Sequence, residues 1–178
     1  KKTADYLEKY VTERTKGDAK AQILRQIVDD SKFDIPESMI LREMDHLFKK
    51  TRESVGYYSD NIEEFAMIMG LEKEAFLEKL REEAAQTIKT TMTLSEIAKK
   101  EEMKVDENRY REVIESIAKR NNKTPEEIEK IVTENESREN IETELLLDGA
   151  MEFIYENAKV KKLKPISFEE FAKSRARR

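Results

Sequence analysis

Residues 73–102 read KEAFLEKLREEAAQTIKTTMTLSEIAKKEE, and this stretch has the pattern of one long amphipathic helix. Its apolar residues recur three or four positions apart, and charged residues fill most of the positions between them. Thirty residues of helix would span about 45 Å, whereas a compact domain of this size has a radius of gyration of about 16 Å. We therefore expect this helix to project from the body of the molecule. Its apolar face comprises Phe76, Leu77, Leu80, Ala84, Ile88 and Leu94.

Two helices are predicted before residue 59. The first runs from Asp5 to Ser31, and Gly17 marks the point where it bends or begins, because glycine costs about 1 kcal/mol in a helix relative to alanine. Pro36 ends this pattern, since proline moves the preceding residue out of the helical region and itself favours a first helical position. The second helix is predicted from Pro36 to about Tyr58. Its apolar stripe comprises Ile40, Met44, Leu47, Phe48 and Val55.

A short third helix is predicted between residues 60 and 70. Asp60 and Glu63 form a predicted capping box, in which each side chain bonds a free amide near the helix start. Gly70 suits the left-handed residue that often ends a helix. The run FAMIM at residues 65–69 is apolar on nearly every side of such a helix. Burial between longer helices and contact with a partner both account for this run, so both interpretations stay open.

Four further helices follow the long one. Asp106 is the predicted N-cap of the first of them. The run TPEE at residues 124–127 combines an N-cap threonine, a proline at the first helical position and a glutamate three residues after the cap. The next helix, from about Ser137 to Ala158, is apolar over a broad arc and is predicted to be the most buried. A last short helix begins at Ser167. No convincing strand pattern appears, so the sequence predicts an all-α fold.

The composition excludes several kinds of functional site. The 178 residues are 41% charged, carry a net charge of -5 and contain no Cys, which excludes disulfides and thiolate metal sites. The single histidine, His46, follows Glu43 by three residues, but a di-iron site needs a second such pair and a zinc HExxH site needs a second histidine. The negative charge disfavours nucleic acid, and no apolar run approaches the length of a membrane span. We expect no metal or other cofactor, no nucleic-acid or membrane partner, and a cytoplasmic location.

Several stretches carry a family resemblance in their order along the chain. They are FDIPESMI at residues 33–40, EEMKVDENR at residues 101–109, and AKV at residues 158–160 followed by SFEEF at residues 167–171. Together with the helices between them, they resemble the C-terminal domain of trigger factor, the bacterial ribosome-associated chaperone. The resemblance covers essentially the whole chain, and it rests on where helices start and stop rather than on a catalytic signature.

The resemblance implies a fold and a set of partners. It implies an elongated multi-helix body with two projecting helical arms, whose inner surface cradles unfolded and nascent polypeptides without ATP. It implies that residues 1–178 form one helical domain of a longer protein, which reaches the ribosome and catalyses prolyl isomerisation through domains not in this chain. The chain itself is then not an enzyme, and a weak homodimer is compatible with the family. A related helical core occurs in periplasmic chaperones with parvulin domains, and this alternative stays open.

The residues themselves support the same function. A chaperone needs weak, non-directional attraction for many apolar segments, and methionine suits this because its side chain is flexible and polarizable. The chain has 7 Met, several of them on or beside apolar helix faces. We therefore predict a low-affinity polypeptide-binding surface. Its candidate residues are Met39, Met44, Phe48, Tyr57, Tyr58, Phe65, Met67, Ile68, Met69 and Met92.

Two other classes of function compete with this interpretation. In a helical scaffold or protein-docking domain, the same apolar stripes would close dry cores, and partners would meet only charged faces. An enzyme would need a carboxylate and lysine site that the sequence does not reveal. The scarcity of Gln beside abundant Glu and Lys also indicates a thermophilic source.

Overall fold

The computed structural model describes the backbone of residues 2–159, with the side chains of residue 6 and of residues 8–159. This part of the chain is all-α, as predicted, and contains no strand. The short helix predicted at Ser167 lies outside the described residues. The helices are α1 (Lys2–Asp30), α2 (Glu37–Ser54), α3 (Ile62–Ile68), α4 (Lys73–Lys100), α5 (Glu107–Asn121), α6 (Pro125–Glu134) and α7 (Arg138–Asn157).

Helix α4 is the spine of the molecule because its two halves belong to different hydrophobic cores. Its first half contributes Phe76 and Leu80 to an arm core shared with α2 and α3. Its second half contributes Leu94 and Ala98 to a body core shared with α1 and α7. A third core lies between α5 and α6 and is closed at one side by the start of α7. The buried members of this third core are Tyr110, Ile114, Ala118, Ile128 and Val132.

This arrangement makes the molecule elongated. The chain exposes 14196 Å² of surface, whereas a compact monomer of its mass exposes about 9000 Å². Helices α2 and α3 pack chiefly on α4, and α6 packs chiefly on α5, so each group extends from the body as an arm. The expected architecture, an elongated helical body with projecting arms, is confirmed. We call α2, α3 and the first half of α4 the apolar arm, and α5 with α6 the closed arm.

Ion pairs join the helices at the edges of these cores. Arg81 on α4 donates two hydrogen bonds, of 2.5 and 2.6 Å, to the carboxylate of Glu37 at the start of α2. These bonds lower the pKa of Glu37. Lys16 and Lys20 on α1 both donate to Glu152 on α7 and hold its pKa below the usual value. Such exposed or half-exposed pairs fix the register of neighbouring helices more than they add stability.

The predicted helix starts are confirmed where the caps are strongest. The Thr124 hydroxyl accepts from the Glu127 amide while the Glu127 carboxylate accepts from the Thr124 amide, which completes the capping box. Asp106 caps α5 by accepting from the amide of Asn108 at 2.9 Å. Gly70 adopts φ +71° after α3, a conformation that glycine enters without steric cost.

Three local predictions were wrong. Helix α1 continues through Gly17, because Lys16 and Lys20 on either side of the glycine are both held by α7. Asp60 does not cap α3, because its carboxylate pairs with Arg52 at 2.7 Å and Asn61 is the N-cap instead. Helix α7 is not the most buried helix: it has two buried residues against seven in α4, since its broad apolar arc is divided between two cores.

Candidate functional site

The end of the apolar arm is built on a cluster of aromatic rings. Phe65 of α3 lies at the centre, with no exposed surface. Its ring centroid is 5.4 Å from that of Phe48 on α2 and 5.6 Å from that of Phe76 on α4, both in edge-to-face contact. Tyr57, which follows α2, completes the cluster at 5.3 Å. Edge-to-face pairs add to the stabilisation from burial, so this core holds α3 firmly against the two longer helices.

Helix α3 buries one side only, and this leaves apolar side chains on the surface. It has seven residues and packs on α4 through Phe65 and Ala66, both fully buried. In a run of consecutive apolar residues around 100° apart, the remaining side chains must point elsewhere. Met67 is 73% exposed and Ile68 is 61% exposed. We call the exposed apolar residues at this end the tip surface, which comprises Tyr58, Met67, Ile68 and Met69.

Polar contacts hold the loop between α2 and α3 in place. Arg52, near the end of α2, donates to the Asp60 carboxylate at 2.7 Å and to the Tyr58 carbonyl at 3.2 Å. The Tyr57 hydroxyl lies 2.8 Å from the Glu64 carboxylate. Asn61 then accepts from the Glu64 amide at 3.1 Å and caps α3. The tip surface is therefore presented by an ordered frame and does not depend on a partner for its shape.

Acidic residues surround the tip surface. Exposed carboxylates of Asp60, Glu63, Glu64 and Glu72 flank the run at residues 67–69. The ammonium group of Lys73 lies 3.7 Å from Glu63 and offsets part of this charge. A charged rim keeps an exposed apolar patch hydrated and disfavours self-association.

The structure divides the ten predicted contact residues into three groups. Six are exposed, namely Met39, Tyr58, Met67, Ile68, Met69 and Met92. Met44 and Tyr57 are half-buried against the arm core. Phe48 and Phe65 correct the prediction: they do not line a surface, because both are buried in the aromatic cluster between α2, α3 and α4.

Two exposed residues on the apolar arm are missing from the set predicted from the sequence. Val55 was placed on the buried stripe of α2, but the helix ends at Ser54 and Val55 is exposed beyond it. Leu41 is exposed because it lies about 100° around α2 from Ile40. The position of Leu41 off the stripe was the signal that could have identified it.

A second concave region lies on the closed arm. An open groove of about 690 Å³ runs between α5, α6 and the start of α7. At its floor the Tyr110 hydroxyl lies 3.2 Å from Glu129, and the Arg138 guanidinium stacks over the Tyr110 ring at 4.5 Å. Burial, with the nearby charge of Glu129, raises the pKa of Tyr110. These polar side chains already satisfy one another, so the groove offers no free group for chemistry.

Catalytic and metal chemistry find no support in the described residues. No group of three or more His, Cys, Asp or Glu among them is arranged to hold a metal ion. His46 is exposed, and its Nδ1 lies 3.7 Å from the carboxylate of Glu43 on the same helix. Within residues 2–159, no helix is both long enough and apolar enough to cross a bilayer.

Comparisons with known proteins agree with this architecture. Residues 1–156 match the family model of the bacterial trigger factor C-terminus. Trigger factor from Acetivibrio thermocellus is 29% identical over 83% of this chain and 34% of its own length. That from Caldicellulosiruptor saccharolyticus is also 29% identical, over 83% of this chain and 33% of its own. The chain thus spans about a third of the length of these relatives.

A solved structure supports the fold separately. Trigger factor domains from Thermotoga maritima superpose with a TM-score of 0.62 and 15% identity, covering 81% of this chain and 83% of that one. At this identity the likeness concerns the fold alone. The match of the family model over most of the chain decides the classification: this protein belongs to the family of the bacterial trigger factor C-terminus.

Proposed function

We propose that this chain is the polypeptide-binding part of a trigger factor and holds apolar segments of unfolded and nascent proteins without ATP. The single observation that carries the proposal is the tip surface, where Met67, Ile68 and Met69 are consecutive and exposed on a helix that the arm core holds in place. Family membership makes a chaperone role the natural use of such a surface.

The physical properties of the tip surface suit transient binding. Contiguous apolar patches on monomers usually mark sites of interaction. Two of its four residues are methionines, whose side chains repack around partners of different shape. Their attraction for a client is non-directional, since it comes from apolar area removed from water. Met39 and Met92, also exposed on α2 and α4, extend the proposed contact area along the apolar arm.

The remaining activities of a trigger factor belong to other parts of the parent protein in this proposal. Because the chain spans about a third of its relatives, ribosome binding and prolyl isomerisation are assigned to the other two thirds. We place the parent in the bacterial cytoplasm, where nascent chains emerge. A weak homodimer would leave the tip surface free to exchange between a second copy and a client.

The test is suppression of client aggregation by a tip variant. In Met67→Ser/Ile68→Ser, two exposed apolar contacts are lost while the arm core is untouched. We expect client affinity to fall about ten-fold, because burying part of each side chain contributes roughly 1 kcal/mol. Light scattering of a chemically unfolded client, diluted into buffer with increasing chaperone, measures the effect.

Leu41→Ser is the matched control, since Leu41 is also apolar and 54% exposed but lies outside the tip surface. The control should suppress aggregation like the unchanged chain. If the tip variant does so too, client binding at this surface is refuted. If the unchanged chain neither suppresses aggregation nor binds apolar peptides, the alternative of a helical scaffold with charged docking faces is favoured instead.

A further inference from the structure

One face of α1 is packed in its second half and open in its first. Leu24 packs on the body core, and Val28 is buried. Tyr6 and Tyr10 precede these two residues by eighteen positions each, which is five full helical turns. The two tyrosines therefore lie on the same stripe of α1 as Leu24 and Val28.

The tyrosines of this stripe are exposed in the described part of the molecule. Tyr6 is 69% exposed and Tyr10 is 42% exposed. Tyrosine rings carry a large apolar area, and an aligned pair of them beside a packed core is typical of a surface that receives another segment. The question is which segment lies within reach.

Helix α7 runs antiparallel to α1 and delivers the following chain to this stripe. Leu147 and Met151 pack in the body core with Leu24, whereas the later Tyr155 lies under Lys16, at 5.3 Å from its ammonium group. Moving forward along α7 thus means moving back along α1. Because α7 ends at Asn157, the chain leaves it close to the first half of α1, and Tyr10 is only about 9 Å along the helix from Lys16.

The chain that leaves α7 has the composition to cover the tyrosines. Residues 160–178 read VKKLKPISFEEFAKSRARR, with seven basic and two acidic residues and a net charge of +5. Extended chain covers about 3.3 Å per residue, so Leu163, six residues after Asn157, can reach roughly 20 Å. The later apolar residues of this segment reach beyond Tyr6. They are Ile166, Phe168 and Phe171.

We propose that residues 160–178 dock along the open half of α1 and cover Tyr6 and Tyr10 with Ile166, Phe168 and Phe171. Three observations support this: the continuity of the tyrosine stripe with the body core, the exit of α7 beside it, and the length of chain that follows. The docked segment would extend the body core and confine exposed apolar surface to the apolar arm. The proposal concerns the body, so it stands or falls independently of client binding at the tip surface.

Tryptophan fluorescence tests the docking, because the chain contains no natural tryptophan. Tyr10→Trp in the full chain places a single fluorophore on the stripe. Adding Phe168→Ser/Phe171→Ser, outside the three cores, should raise acrylamide quenching of this fluorophore by a factor of about two, since a covered ring becomes accessible to collision. Tyr58→Trp at the tip surface is the control and should be quenched equally with and without the two serines.

Equal quenching of the fluorophore at position 10 with and without the serines would overturn the proposal. So would quenching that falls with protein concentration alongside a dimer in sedimentation, because a second copy would then cover the stripe. Tyr6→Trp repeats the measurement one turn away and should give the same result. Circular dichroism spectra that match those of the unchanged chain confirm that each variant keeps its helices.

Discussion

The two arms of the molecule use apolar residues in opposite ways. The closed arm places its apolar side chains inside, around Tyr110, Ile114 and Ile128, and its outer face is charged. The apolar arm also has a closed aromatic core, yet it exposes large apolar side chains beside that core. All ten exposed large apolar residues of the described chain precede residue 93, and the described residues from 93 to 159 include none.

This difference comes from helix length and pattern. Helices α5 and α6 each have a single apolar stripe that the partner helix covers. Helix α3 has only seven residues, and its apolar run continues around the helix beyond the side that α4 can cover. A short helix with too many apolar residues can thus be rigid and adhesive together, because the buried residues fix it and the others remain outside.

Phe65→Ala should have the largest effect on this contrast. It removes the fully buried centre of the arm core and should reduce the stability of the apolar arm by about 3–5 kcal/mol, through lost burial and a cavity. Hydrogen exchange resolves where the loss falls: amides of α3 and early α4 should exchange faster, whereas those of α5 and α6 should keep their protection. Equal loss of protection in both arms would show that the molecule has one cooperative core.

Thr124→Ala should affect the other arm, and by less. The substitution removes the side-chain half of the capping box at α6 and should cost about 1 kcal/mol. Amides in the first turn of α6 should lose protection, and client binding should stay unchanged because the tip surface lies on the other arm. Thr124→Ser keeps the hydroxyl and serves as the control. A loss of client binding in the alanine variant would contradict the division of roles between the arms.

The features that the sequence predicted well depend on few residues that are close together. The capping box at Thr124, the cap at Asp106 and the ending at Gly70 each follow from local chemistry, so they could be predicted. The all-α fold followed from helical periodicity and from scarce glycine and proline. These local signals also placed the run at residues 65–69 on a short helix.

The features that the sequence did not predict depend on distant partners. Phe65 and Met67 belong to one apolar run, and only the positions of α2 and α4 decide that the first is core and the second is surface. Helix α1 passes through Gly17 because α7, more than a hundred residues later, supports it through Glu152. The broad arc of α7 predicted deep burial, but its residues are shared between two cores. Periodicity identifies an apolar face and not what covers it.

Site-specific photo-crosslinking tests the central claim most directly. A photoreactive phenylalanine analogue is placed at Met67 in the apolar arm or at Arg111, an exposed position on the closed arm, and each chain is irradiated with a labelled unfolded client. The account predicts a strong client adduct from position 67 and a much weaker one from position 111. Adducts of equal yield from both positions, or from neither, would contradict it.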